Sequence, residues 1–173
     1  MLKINTAIWI FFLSTVFCYS QSDSLKLHGI QIKSHEIDNG LSKPISKKII
    51  LIDTIKVTTE EYKWKLKVIS EFKNSGSQLL IEFYYDQDSL ILIRFTELSK
   101  EFNYGINANK ITEFYYENDN FIEEQISIQI SNPIIGVGIP KPSKWNEIYG
   151  YNPRFTFDFL QSYAALLLTK IKK

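Results

Sequence analysis

The chain predicts an α+β domain, an antiparallel meander of five or six strands with one helix before it and another after it. Three observations predict this. β-Branched and aromatic runs alternate with polar turns across residues 49–130. One aromatic hairpin pattern occurs twice, 31 residues apart. Segments with apolar residues spaced three and four apart flank that region on both sides.

The first helix is read over residues 24–41, where Leu27, Ile30, Ser34, Ile37 and Leu41 recur at helical spacing. Gly29 weakens it by roughly 1 kcal/mol, and Ser42-Lys43-Pro44 ends it. Ile49 to Val57 is rich in β-branched residues and reads as one strand. Residues 59–73 fit two periods. Tyr62, Leu66, Ile69 and Phe72 suit a helix face, with Thr58 and Glu61 as a capping box. Tyr62, Trp64, Leu66 and Val68 also alternate with Lys63, Lys65 and Lys67, and strand is the reading adopted. Lys73-Asn74-Ser75-Gly76-Ser77 then turns the chain into the next strand.

The repeat aligns Glu82-Phe83-Tyr84-Tyr85-Asp86-Gln87-Asp88-Ser89-Leu90-Ile91 with Glu113-Phe114-Tyr115-Tyr116-Glu117-Asn118-Asp119-Asn120-Phe121-Ile122. Each copy reads as strand, polar turn, strand, hence a β-hairpin. The first hairpin is apolar on both sides, with Leu79, Ile81, Phe83 and Tyr85 on one and Leu80, Tyr84, Leu90 and Leu92 on the other. That places it centrally. The second shows Glu113, Tyr115, Glu117, Glu123 and Gln125 on one side, which places it near an edge with one wet face. Residues 131–153 hold four prolines and three glycines and read as a long loop. Loops beyond ~12–15 residues without secondary structure are often functional. The closing helix is read over residues 153–172, with Asn152 as N-cap and Pro153 at its first position. Phe155, Phe159, Tyr163, Leu166 and Leu167 give it one apolar face. Both helices are expected to pack on one side of the sheet.

Ahead of this domain, Lys3, the predominantly apolar stretch from Ile4 to Phe17, and the small-residue site ending at Ser20 form the pattern of a secretory signal peptide. The stretch is shorter than the ~20 apolar residues a spanning helix needs. Residues 1–20 are therefore read as a leader cut before Gln21, residues 21–173 as one domain, and the location as periplasmic or secreted. Membrane attachment would come only through an uncleaved leader, or through a lipid on Cys18, which Phe17 disfavours. Cys18 is the sole cysteine, so the domain has no disulfide, catalytic thiol or thiolate metal site. With 20 basic and 19 acidic side chains, nothing favours a nucleic acid partner, which would want a basic surplus.

The chemistry-bearing residues do not assemble a catalytic set. His28 and His35 would lie two helical turns apart, roughly 10 Å, too far to share one metal ion. Asp86-Gln87-Asp88 and Glu117-Asn118-Asp119-Asn120 lack the central glycine of a calcium loop and suit turns. Gly136-Val137-Gly138 is followed by Pro140, which removes an amide that a phosphate loop would use. Glu113 and Glu123 fall on the wet face, where a carboxylate stays solvated. No catalytic residue, metal site or cofactor is assigned. Three groups remain as binding candidates. Lys63, Lys65 and Lys67 form a basic row that also suits protection of a sheet edge. Ile134, Ile135, Trp145, Tyr149 and Tyr151 are either interface anchors or the underside of a loop that folds back. Tyr84 and Tyr115, with Tyr85 and Tyr116, are a candidate aromatic pocket.

The repeated Phe83-Tyr84-Tyr85-Asp86 and Phe114-Tyr115-Tyr116-Glu117 hairpins, together with the leader, resemble small secreted proteins of the Bacteroidota. Asp-Gln-Asp-Ser and Glu-Asn-Asp-Asn stand here where such hairpins carry Asn-Gly. The resemblance covers residues 62–130 and implies no catalytic residues. The function expected is a non-enzymatic binding protein, of inhibitor or immunity type, acting through a sheet face or the 131–153 loop. The alternative is a carrier of a small apolar ligand in an aromatic pocket between sheet and helices.

Overall fold

The computed structural model describes residues 24–98, 107–131 and 141–171. The leader read over residues 1–20 lies outside them. The chain divides into two compact units, residues 1–41 and 42–173. In the first, helix α1 covers residues 24–39 and runs through Gly29. Ser34, Leu27 and Ile37 are buried, and His28 and His35 are exposed. The Gly40 amide closes the last turn on the Glu36 carbonyl at 3.0 Å.

The second unit is a seven-stranded antiparallel meander: β1 (Ser46–Ile52), β2 (Ile55–Glu61), β3 (Lys65–Phe72), β4 (Ser77–Asp86), β5 (Ser89–Leu98), β6 (Asn107–Glu117) and β7 (Asn120–Ser131). Sheet order follows chain order, so β1 and β7 are the edges. The strand count exceeds the expected five or six because the runs 49–57 and 59–73 each fold back, sharing β2 and holding three strands in place of two. Ile49–Val57 folds back at Asp53-Thr54, pairing Ile52 with Ile55. Asp53 takes φ 52°, a left-handed conformation that its short polar side chain tolerates without glycine. Residues 59–73 turn at Lys63-Trp64, where the Tyr62 amide donates to the Lys65 carbonyl at 2.7 Å.

The repeat in sequence is a repeat in geometry. Gln87-Asp88 and Asn118-Asp119 each adopt positive φ at both positions, the mirror-image turn that suits the strand twist. Both hairpins shift register at the second tyrosine of the pair. Tyr84 faces Leu92 while Tyr85 faces Leu90, and Tyr115 faces Glu123 while Tyr116 faces Phe121. The extra residue is thus Ile91 in one copy and Ile122 in the other, a β-bulge that strengthens local twist. The Leu90 amide donates to Asp119 Oδ1 at 2.9 Å, tying the two turns together.

One sheet face carries Val57, Val68, Leu79, Ile81, Phe83, Ile93, Phe95 and Phe114. These pack with Leu160, Tyr163, Ala164 and Leu167 of α3 (Phe157–Ile171) into the main core. Tyr163 also donates to Ser70 Oγ at 2.9 Å inside that core. The cap of α3 is Thr156, not Asn152: the Phe159 amide donates to Thr156 Oγ1 at 3.4 Å and the Leu160 amide to the Thr156 carbonyl at 2.9 Å. Asn152 is held elsewhere. Its amide donates to Glu97 Oε1 at 2.5 Å, and its side chain to Ser77 Oγ at 3.3 Å. Residues 131–153 are less irregular than the sequence suggests. Residue 131 still belongs to β7, Pro142–Lys144 form a 3₁₀ turn, and α2 spans Trp145–Tyr149, closed by Gly150 at φ 67°.

Candidate functional site

The sequence predicts an apolar outer face for the first hairpin, a polar one for the second and a basic row at Lys63, Lys65 and Lys67. On the other sheet face the structure shows a row, charged at six of its seven positions, that crosses all seven strands. Register places Lys47, Glu60, Lys67, Glu82, Arg94, Glu113 and Gln125 side by side, one per strand. Opposite charges directly across strands attract. Lys47 Nζ lies 2.7 Å from Glu60, Lys67 Nζ 3.7 Å from Glu60, Arg94 Nη1 4.0 Å from Glu82, and Arg94 Nε 2.8 Å from Glu113. The hydrogen bond and charge of Lys47 hold Glu60 below the ordinary carboxylate range.

Tyr84 and Tyr115 sit beside this row, both fully buried. Tyr115 was read onto a wet face. That reading fails because its hydroxyl is spent inside the row, donating to Glu113 Oε2 at 2.8 Å. The Tyr84 ring lies between two cations, Lys65 Nζ at 4.7 Å and Arg94 Cζ at 5.1 Å. Arg94 Nη1 donates to the Tyr84 hydroxyl at 2.8 Å. Burial pulls the Arg94 pKa down, but Tyr84, Glu113 and Glu82 outweigh it and hold it above the ordinary value. Tyr85 and Tyr116 point to the opposite, core face, where they pack against the main cluster. The four tyrosines therefore do not line one pocket. Burial, with Asp119 nearby, pushes Tyr85 up to about 12.

The basic row resolves in the same way. Lys65 is buried and paired with Glu82 at 2.6 Å, Lys67 turns to Glu60, and Lys63 stacks over Trp64 at 4.9 Å. β3 is the third strand of seven and protects no edge. Trp145, Tyr149 and Tyr151 form a satellite core with Ala108, against Ile128, Ile130 and Ile148. Tyr151 donates to the Ala108 carbonyl at 2.9 Å. The aromatic loop thus folds back onto the sheet. Ile134 and Ile135 lie outside the described residues. Glu123 accepts from Gln125 at 3.1 Å, and burial raises Glu124. Between the sheet and α3, the gap beside Glu97 and Lys110 is about 10 Å³, room for at most about one water.

What remains open is β1. Its outer edge has no strand partner among the described residues. Ile49 and Leu51, with Ile45 just before them, point to the charged-row face and are 64%, 66% and 71% exposed. Lys48 points the other way, into a cleft of about 460 Å³ that also takes in Glu61, Trp64, Leu66, Tyr85, Asp88 and Ile171. Glu61 is engaged by the Ser46 hydroxyl at 2.8 Å.

Comparison with protein-family models, with curated proteins and with solved structures finds no match. The site must therefore be read from its own chemistry. Among the described residues no group of three or more histidine, cysteine or acidic side chains can hold a metal ion. No helix among them is long and apolar enough to cross a membrane. The exposed residues of β1 were not singled out from sequence. The signal was present: Asp53-Thr54 separates two β-branched runs, and Lys47-Lys48 opens the first. Which face each residue takes follows only once the hairpin register is known.

Proposed function

We propose that this chain is a non-enzymatic binding protein of the periplasm or the extracellular space, engaging another protein through the β1 side of its sheet. One observation carries the reading. Three large apolar side chains, Ile45, Ile49 and Leu51, stand mostly exposed together on and just before an edge strand whose outer side has no strand partner among the described residues. A flat apolar edge of this kind is a site of association unless something covers it. The aromatic loop is the weaker candidate, because Trp145, Tyr149 and Tyr151 spend their area on the satellite core. Export rests on the N-terminal pattern of Lys3, the apolar stretch and Ser20.

The test compares the wild-type chain with Ile49→Asp/Leu51→Asp, using Ile126→Asp on the exposed part of β7 as control. Proteins crosslinked in the native envelope are identified for each. The partner should persist with the β7 variant and vanish with the β1 variant. Equal capture by all three removes the β1 site. Sequencing of the recovered N-terminus should begin at Gln21.

A small-molecule carrier is the second reading. It draws on the cleft beside β1, where Trp64, Tyr62 and Tyr85 offer aromatic surface. A compound retained in native mass spectrometry, and lost in Trp64→Ala, would favour it.

A further inference from the structure

Resting on the β1 reading above, we infer that the partner contributes an extended segment added antiparallel to β1 as an eighth strand, with apolar side chains over Ile49 and Leu51 and an acidic side chain beside Lys48. β1 offers a row of backbone groups on its outer side, and alternate residues of an added strand address the two faces of the sheet. Ile49 and Leu51 set the chemistry of one face. The other face is set by charge. Lys47 is already committed to Glu60 at 2.7 Å, and the Ser46 hydroxyl to Glu61. Lys48 is exposed, faces the cleft and has no carboxylate partner among the described ion pairs. Of the two lysines of β1 it is the one without an ion pair among the described residues. The residue directly opposite it in an added strand lies within side-chain reach, about 4.5–5.5 Å between Cβ atoms. Its side chain would extend toward the cleft that Trp64 and Leu66 line. The pattern recognised is therefore apolar, any, apolar, acidic, read from the position opposite Leu51 to the one opposite Lys48. Backbone pairing supplies affinity and the two side-chain sets supply specificity.

The probe is the peptide acetyl-Ser-Val-Thr-Val-Glu-Thr-Ser-amide, titrated into the full chain lacking residues 1–20. Amide hydrogen exchange and NMR shifts are read at Lys47 to Ile52. The peptide should slow exchange of alternate β1 amides. Its Glu→Lys version should bind at least tenfold more weakly, and Lys48→Glu should reverse that preference. Lys48 is exposed, so the variant keeps the wild-type spectrum elsewhere. A version N-methylated at the two valines should not protect β1. Binding with no β1 protection, or with no charge reversal, overturns strand addition. If Ile49→Asp/Leu51→Asp still abolishes capture of the native partner in that case, the β1 reading survives and only the mode of contact fails. Protection that grows with protein concentration in the absence of peptide would make a second copy of the chain the occupant and overturn the assignment.

Discussion

Arg94→Met tests whether the charged row is a structural element rather than a set of incidental contacts. Arg94 joins the two repeated hairpins, reaching Glu82 and Tyr84 in the first and Glu113 in the second. Methionine keeps much of the side-chain volume and removes the charge. Two well-formed hydrogen bonds at 2.8 Å are lost, each worth about 1.5–3 kcal/mol when one group is charged. Against this, the guanidinium no longer has to be stripped of water. Removing one partner of a buried ion pair costs about 3–5 kcal/mol in such balances, because the opposite charges stay buried. Glu82 and Glu113 are mostly buried here, so the lower half of that range is expected. For a domain of this size each kcal/mol lowers Tm by about 2–4 °C, which gives a fall of about 10 °C. Thermal and urea unfolding followed by circular dichroism measure it. The double variant Arg94→Met/Glu113→Gln should recover at least half the loss, since Glu113 then carries no unpaired charge and Glu82 keeps Lys65 at 2.6 Å. A cost below 1 kcal/mol for Arg94→Met, or no recovery in the double variant, would refute the reasoning.

The two mirror-image turns should respond oppositely to glycine. Asp88→Gly relieves a residue held at φ 76° and should stabilise by about 0.5–1 kcal/mol, whereas Asp119→Gly also loses the bond to the Leu90 amide and should destabilise by about 1 kcal/mol. Urea midpoints of both variants decide this. Tyr163→Phe strands the fully buried Ser70 hydroxyl and should cost about 1–2 kcal/mol, most of it restored by adding Ser70→Ala. The double-mutant cycle measures that coupling. Alkaline pH should unfold the chain. Tyr85 is raised to about 12 in the folded state, so the folded chain holds its proton while the unfolded chain loses it. That stability is complete below pH 10 and is lost as pH rises from 10 to 12, about 3 kcal/mol in all. Tyr116 and Tyr163 are raised by burial in the same direction. Unfolding midpoints against pH, with Tyr85→Phe showing a shallower decline, test it.

Local pattern determined a good deal of this protein. The period of Leu27, Ser34 and Ile37 marks α1, and the spacing of Phe159, Tyr163 and Leu167 marks α3, because a helix shows its buried stripe within a few residues of sequence. The alternation around Phe83 and Phe114, and the repeat that contains them, mark the two hairpins and their central and edge positions. Tertiary structure decided the rest. The turns at Asp53-Thr54 and Lys63-Trp64 carry no glycine or proline, so nothing local distinguishes them from strand, and pairing alone splits the runs. The charged row is invisible along the chain. Its members lie 7 to 19 residues apart wherever register joins them directly, as for Glu60 with Lys67 and Arg94 with Glu113. Tyr115 alternates like a solvent-facing residue, yet it is buried, because period assigns a side chain to a face and not to water. The same limit governs the site. Ile49 and Leu51 read from sequence only as part of a strand, and their exposure follows from the place of β1 at one edge of the sheet, with no strand beyond it among the described residues.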